Sequence, residues 1–489
     1  MTLMTPRLAV RRSSKGANEH ESPMKDYPSE NLSHDPLHGY IPFTSGVGMP
    51  EEEVSERQII DHPWLQRLRQ IHQLQTAWWV YPTAEHTRFQ HVLGVMHMAS
   101  RAVDQLYESL AEQCDAVPSR GYVECLLRMA GLLHDVGHGP FGHFFDAKFL
   151  SRYGLTHETL GSQIVEQELG DLLRGIRRNP NSVMESGESL DPAQIAFLIT
   201  RPTENDEIEQ PRWLVFLRSL FCGIYTIDNM DFVLRDAYMT GYSACSFDLE
   251  RLLHYTFFSN RGLTIHDRAI NALIRFMGVR ADLFRSVYFH RTVRAIDLTL
   301  ADLFDESADL LFDGSPREHL DGYQRFTEWS LLGDVAQWHE SDDPRRRELA
   351  PKWRQLLDRQ IPWKMVCQRH KVFAADDAEQ SSIFSYEGAV ESQIRDALSA
   401  EAAASPFRVD VARHIHRPHT LGPTAGMNFL YDSAQDQTRP LTDDQLFRQL
   451  PTSARIVRIY AHDDRYVGEL TAALDKLLGP VSTDDVTNM

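Results

Sequence analysis

Apolar residues recur along this chain in two rhythms. From His91 onward, Val92, Val95, Met96, Ala99 and Val103 fall on one stripe at helical spacing, which predicts a helix with one face in the core. Tyr122 to Leu133 is apolar on nearly every side, the pattern of a helix in the middle of a core. Phe216 to Tyr238 and Ile270 to Phe304 predict two further long helices. Beyond about residue 335 the rhythm changes. Arg455-Ile-Val-Arg-Ile-Tyr460 reads as a strand, Tyr466 to Leu478 as a closing helix, and Asp343-Pro344, Arg417-Pro418 and Arg439-Pro440 as connectors. Residues 1–33 are polar with little periodicity and predict a flexible arm. The expected architecture is mainly α: an all-helical body over residues 34–334 and a smaller α+β lobe over 335–489.

Bulk properties narrow the function classes. The chain has 489 residues, room for two or three domains, and a formal net charge of −19. That charge argues against nucleic acid as a partner, since non-specific binding needs a basic face. The five cysteines, Cys114, Cys125, Cys222, Cys245 and Cys367, form no CxxC pair and predict reduced thiols in a cytoplasmic protein. No apolar run is long enough for a bilayer, so no membrane is expected, and no apolar signal segment follows the N-terminal basic residues.

The densest chemistry is LLHDVGHGPFGHFFD, Leu132 to Asp146, with three histidines and two aspartates among apolar residues. Burying such groups is costly unless they are paired or bound to metal. Adjacent helix residues point about 100° apart, so His134 and Asp135 can share an ion only if it sits over the edge between them. The other ligands must then come from elsewhere, with His91 and Asp228 the candidates. Two imidazoles and two carboxylates suit one divalent ion, Mn, Mg, Fe or Zn. A lone His-Asp pair is more often a satisfied core histidine; the following His138, His143 and Asp146 shift the balance toward a metal site.

An ordered set of segments carries a family resemblance. It comprises Asp35-Pro-Leu-His-Gly39, Asp61-His-Pro-Trp-Leu-Gln-Arg-Leu-Arg69, Gln73-Leu74, Thr87-Arg-Phe-Gln-His91 and the Leu132 to Asp146 run. It continues through Thr156-His157-Glu158, Ile227-Asp228 to Arg235-Asp236 and Ala281 to Asp297, and weakly at Leu450-Pro451 and Arg455 to Tyr460. Together they resemble HD-domain phosphohydrolases, most nearly the dNTP triphosphohydrolase branch that includes the eukaryotic sterile-alpha-motif/HD-domain enzymes; the sterile-alpha-motif portion itself has no expected counterpart.

The resemblance implies that His91, His134, Asp135 and Asp228 hold the metal, with Asp135 also helping to orient the attacking water. It places His138, His143 and His157 beside the phosphates, with His138 or His157 assisting proton transfer. Arg88 would contact a phosphate, Gln73 and Asp236 the sugar 3′-hydroxyl, and Leu74 would occupy the place of a ribose 2′-hydroxyl. Arg280, Tyr288 and Arg291 match the segment that grips the outer phosphates and nucleoside. Helix periodicity puts Asp228, Phe232, Arg235 and Asp236 on one face, and Arg280, Phe284, Tyr288 and Arg291 on another.

Two positions depart from the family pattern: Asn229 stands at a usually basic position and Phe232 at a usual Tyr. Asp61 and Arg69 match residues that read an activating nucleotide, whereas His34 and the acidic Leu441-Thr-Asp-Asp444 depart from that site. The expected activity is metal-dependent hydrolysis of deoxynucleoside triphosphates to deoxynucleoside and triphosphate by a homo-oligomer, dimer or tetramer. Alternatives are another HD phosphohydrolase activity, on nucleotide monophosphates or cyclic nucleotides, or a nucleotide-binding sensor without turnover.

Overall fold

The computed structural model describes residues 27–201, 210–373, 386–415, 428–450 and 453–478. Residues 1–26 of the expected arm, the Arg417-Pro418 connector and Pro451 lie outside the described residues. The last residues of that arm are already structured. β1 (Glu30–Asp35) pairs antiparallel with β2 (Gly39–Thr44) in a short hairpin.

The fold is mainly helical. The Arg88–Gln113 helix starts at a capping box, in which Thr87 and Gln90 satisfy each other's backbone amides. The Arg120–Leu133 helix is capped by Ser119, and every residue from Gly121 to Leu133 is buried. The two helices cross where Gly131 meets the backbone of Val95; a Cβ there would lie 3.0 Å from the Val95 carbonyl oxygen. Two charged residues inside this all-buried helix are satisfied by partners. Arg128 grips Glu56 through two nitrogens at 2.5 and 2.8 Å, and Glu124 accepts from Ser100, Asn181 and Ser182.

Both expected long helices are broken. Phe216 to Tyr238 spans two of them, Arg212–Arg218 and Ile227–Met239, the second capped by Thr226. At the junction Gly223 packs against Ser219 and Asn428, and the Asn428 side chain accepts from the Ile224 amide at 3.0 Å. Ile270 to Phe304 consists of a helix, Ile270–Leu283, a wide π-turn over Phe284–Tyr288, and a new helix, Arg291–Leu311. His290 restarts it as an N-cap, its ring nitrogen accepting from the Thr292 amide.

The body also carries a small sheet. β3 (Thr256–Ser259) and β4 (Gly262–His266) form a hairpin; β4 pairs in parallel with β7 (Asn428–Asp432), which pairs antiparallel with β8 (Gln437–Pro440). A second sheet has the order β5 (Lys364–Phe373), β9 (Ser453–Ala461), β6 (Phe407–Ile415), all antiparallel. The helices Glu387–Asp396 and Val467–Leu478 cover it, and Val390, Ile394, Val457, Ile459, Leu470 and Leu474 form its own core.

The expected lobe boundary at 334/335 falls inside a helix, Glu328–Ala336. Trp338, Leu349, Trp353 and Leu356 pack into the large core, so residues 338–357 belong to the body and the separate core begins with β5. Body and lobe meet through Arg294, which grips Asp410 of β6, and through the Tyr460 hydroxyl, which donates to the Arg291 carbonyl at 2.9 Å. The five cysteines are unbridged. Among the described residues no helix is long and apolar enough to cross a membrane.

Candidate metal centre

A cavity of about 820 Å³ opens in the body, and His91, His134, Asp135 and Asp228 all line it. Three segments deliver them. His91 lies one turn into the Arg88–Gln113 helix, and Asp228 is the second residue of the Ile227–Met239 helix. His134 and Asp135 follow the end of the Arg120–Leu133 helix, with His134 at its C-cap. His134 keeps helical φ and ψ of −58° and −30°, so the pair splays as adjacent helix residues do.

The Nε2 atoms of His91 and His134 lie 3.1 and 3.7 Å from the same Asp228 oxygen, Oδ1. Asp135 comes within 3.4 Å of His134 Nε2 and 4.0 Å of His91 Nε2. Both rings are oriented from behind: His91 Nδ1 donates to Asp231 at 2.8 Å, and His134 Nδ1 donates to the Gly131 carbonyl at 2.8 Å. Those bonds place each proton on Nδ1 and leave Nε2 with a lone pair facing Asp228. His134 Nε2 is buried without a hydrogen-bond partner, an arrangement that is costly unless an ion completes it. The donor set of two nitrogens and two carboxylates fits a divalent cation. Burial disfavours a charged His91, yet Asp228 and Asp231 outweigh it and push the imidazole up to about 10. A metal ion would satisfy the same carboxylates in place of those protons.

A second group sits beside the first. His157 Nδ1 donates to Asp146 Oδ2 at 2.5 Å, and His143 Nδ1 lies 3.4 Å from the same oxygen. His138 is fully buried between the two groups, with Nε2 3.4 Å from Asp135 and Nδ1 3.9 Å from Asp146. Its ring stacks on His157 with centroids 3.8 Å apart and an interplanar angle of 11°. These donors are close enough together for an ion. Stacked rings, however, keep their lone pairs in parallel planes, so an ion shared by His138 and His157 would lie out of the plane of at least one ring. Burial, reinforced by Arg88, holds His138 well below the ordinary histidine range, whereas the His143 side chain is largely exposed. An imidazole held by a carboxylate through one nitrogen can carry a transferable proton on the other, which suits proton transfer. The loop that presents them is strained: Phe141 and Gly142 both have positive φ, at 61° and 55°. At Gly142 a Cβ would collide with the Arg88 guanidinium at 2.3 Å, so glycine is what allows Arg88 to reach Asp135 at 2.5 Å.

Gln73, Leu74, Arg88, His143, His157, Asp236, Arg280 and Tyr288 also line the cavity. Arg280 is half-buried, with its Nε and Nη1 shielded from solvent and lacking hydrogen-bond partners, and desolvation pushes its guanidinium down to about 10. Asp236 accepts from His86 at 2.8 Å and from the Tyr288 hydroxyl at 2.5 Å. Two expected groupings need correction. Arg291 is exposed and does not line the cavity, because the π-turn and the His290 cap break the helix face it was assigned to; Arg294 lines the cavity instead. Arg235 does not share the cavity face with Asp228, Phe232 and Asp236. It turns to the flank, bonding Asp231 and Asp35.

Asn229 and Phe232 both line the cavity, so the family departures lie at the site itself. The residues matched to an activator site do not line it. Asp61 pairs with Arg57 at the surface, Arg69 stacks over Phe89, and Asp444 caps the Gln445–Gln449 helix. Sequence reasoning passed over Asp231, Arg294, Arg413 of β6 and the anchoring role of Asp146. Only Asp146 and Asp231 had a signal, their proximity to histidine and aspartate already singled out.

Residues 88–205 match the model of the HD domain family. A deoxynucleoside triphosphate triphosphohydrolase SAMHD1 from Gallus gallus is 27% identical over 463 residues, covering 87% of this chain and 71% of that protein. The Homo sapiens protein of the same name is 25% identical over 461 residues, covering 87% of this chain and 69% of its own. An uncharacterized protein, YwfO, from Bacillus subtilis is 28% identical over 354 residues, 68% of this chain and 73% of its own. A crystal structure of a hypothetical protein from Aquifex aeolicus shares the fold, with a TM-score of 0.63 and 21% identity over 91% of this chain and 100% of that one. Residues 88–205 thus carry the likeness to the HD domain family, and most of the chain is similar to the SAMHD1 proteins. Within the matched segment lie His91, His134 and Asp135, while Asp228 lies beyond it.

Proposed function

We propose that this chain is a metal-dependent hydrolase of deoxynucleoside triphosphates, releasing deoxynucleoside and intact triphosphate. One observation carries the reading. Two imidazole nitrogens and the Asp228 carboxylate converge in a cavity that also holds a half-buried arginine with two unpartnered donors. An arginine with unpaired donors beside a metal-ligand set suits an anionic group such as a phosphate. The names of the SAMHD1 relatives, which act on deoxynucleoside triphosphates, add support.

His91, His134, Asp135 and Asp228 would hold the ion, which supplies Lewis acidity toward a phosphate oxygen and a more acidic water. The chain's own residues do the rest. Arg88 braces Asp135 and faces the phosphates; Arg280 offers its two unpaired donors to them. His143, open to the cavity and anchored by Asp146, is placed to give a proton to the leaving oxygen, with His157 sharing that anchor and His138 kept neutral behind them. Gln73, whose Oε1 is buried without a partner, and Asp236 would hold the sugar 3′-hydroxyl, with Leu74 filling the space of a 2′-hydroxyl. Tyr288 would pack beside the sugar while holding Asp236.

The uncharged wall at Asn229 and Phe232 favours a second reading, an HD phosphohydrolase for a less charged substrate such as a nucleotide monophosphate or cyclic nucleotide. The two separate cleanly. Purified protein with Mn or Mg is given each dNTP, NTP, nucleoside monophosphate and cyclic dinucleotide, and the products are identified. Triphosphate plus deoxynucleoside supports the first reading; orthophosphate or a linear dinucleotide replaces it with the second. Binding without product makes the chain a nucleotide sensor. A homo-oligomer, an activating nucleotide and a cytoplasmic setting remain part of the proposal, the first two measurable by light scattering with and without nucleotide.

A further inference from the structure

The Asp228 helix carries a second aspartate that the cavity does not explain. Asp231 is fully buried and does not line the cavity, yet all of its acceptor capacity is used. Its Oδ2 accepts from His91 Nδ1 at 2.8 Å and from Arg235 Nε at 2.9 Å; its Oδ1 accepts from Arg235 Nη2 at 2.8 Å and His38 Nε2 at 2.7 Å. Arg235 extends the network, donating from Nη1 to Asp35 Oδ2 at 2.8 Å. Asp35 in turn closes the turn between β1 and β2, its Oδ1 accepting from the amides of Leu37 and His38 at 2.9 and 3.0 Å. The hairpin turn thus reaches the back of His91 by two routes, the His38 ring and the Asp35–Arg235 pair.

The backbone is shaped for this contact. A Cβ on Gly94, three residues after His91, would lie 2.0 Å from Asp231 Oδ1 and 2.4 Å from Arg235 Nη2. Only glycine lets the carboxylate press against the helix and meet His91 from behind. A carboxylate on the Nδ1 proton of a ligating histidine fixes its tautomer and ring angle and makes Nε2 a better donor.

We infer that Asp231 is a positioning residue of the metal centre, and that the β1–β2 turn, through Asp35, His38 and Arg235, is part of the apparatus that holds His91 for the ion. This rests on the reading of His91 as a metal ligand.

The test uses the full chain, stripped of metal and titrated with Mn²⁺ while free Mn²⁺ is followed by electron paramagnetic resonance. Asp231→Asn is expected to weaken binding by about 10–100-fold, the usual effect of removing such a partner. Gly94→Ala should do the same by displacing the carboxylate. Asp35→Asn and His38→Gln, neither of which touches a metal ligand directly, should weaken it several-fold. Asp475→Asn serves as the control: it weakens the Arg369 pair in the separate lobe, so it should lower thermal stability and leave Mn²⁺ affinity unchanged. Folded Asp231→Asn, or folded Asp35→Asn and His38→Gln together, binding Mn²⁺ as wild type does overturns the inference. So does Asp475→Asn weakening Mn²⁺ binding as much as they do. If wild type binds Mn²⁺ and His134→Ala does not, such a failure leaves the metal reading intact. If wild type binds none, both fall.

Discussion

Two groups of histidines and aspartates lie side by side in this cavity, built from the same residue types, and their geometry divides their work. In the group of His91, His134 and Asp228, bonds behind each ring turn the Nε2 atoms toward a common carboxylate oxygen. In the group of His138, His143, His157 and Asp146, two rings lie stacked in parallel and the carboxylate takes the Nδ1 protons directly. The first converges lone pairs on a point, as a cation requires; the second spreads protons along a carboxylate. Residue identity alone does not separate the roles. The direction in which each ring is held does.

The comparison is most severely tested by His134→Ala. Loss of that ligand should abolish both bound divalent metal and turnover, read by elemental analysis and product assay; retained metal would break the division at its first half. Next, His143→Ala should keep a full complement of metal while kcat falls by about 10²–10⁴-fold, the span of a lost proton-transfer group. Metal loss there would merge the two groups into one. Arg280→Met should leave both groups intact and lower kcat/KM for the best substrate by about ten- to a hundredfold, equivalent to about 1.5–3 kcal/mol for lost charged hydrogen bonds.

The smallest effect concerns a histidine outside both groups. His72 stacks on Trp78 and donates to the buried Glu328 at 2.8 Å, with Glu85 at its other nitrogen. Burial opposes its charge, but the two glutamates prevail and its pKa is raised. A raised value stabilises the fold below the ordinary histidine pKa, and that stabilisation is lost as pH rises through the raised one. His72→Gln should therefore lower the melting temperature more at pH 6 than at pH 9, by roughly 1–2 °C. An equal loss at both pH values would show the pair to be uncharged.

How much of this was legible in the sequence depends on where each partner lies along the chain. The Tyr122 to Leu133 stretch reads as a core helix because burial on all sides leaves a local imprint. His91, His134 and Asp228 stand out because such side chains are rare among apolar neighbours. Arg291 was placed on the wrong face because the apolar period of Phe284 and Tyr288 runs unbroken through a turn that adds a residue to the backbone ring. The break before Asp228 is braced by Asn428, far along the chain, so no local pattern announces it. Trp338, Leu349 and Trp353 declare themselves apolar without declaring which of two cores they fill. Arg413 reaches the cavity wall only through the placement of its strand.

The parallel ladder between β4 and β7 has a consequence for biosynthesis. While the chain is being made, the β4 edge stays uncovered, and the loop before Asp228 lacks its brace, until residues 428–432 have left the ribosome. A nascent protein halted before that point carries the whole HD segment and three of the four acidic and imidazole groups in place, but an unsupported fourth. Completion of the cavity wall thus depends on a strand that lies some two hundred residues further along the chain.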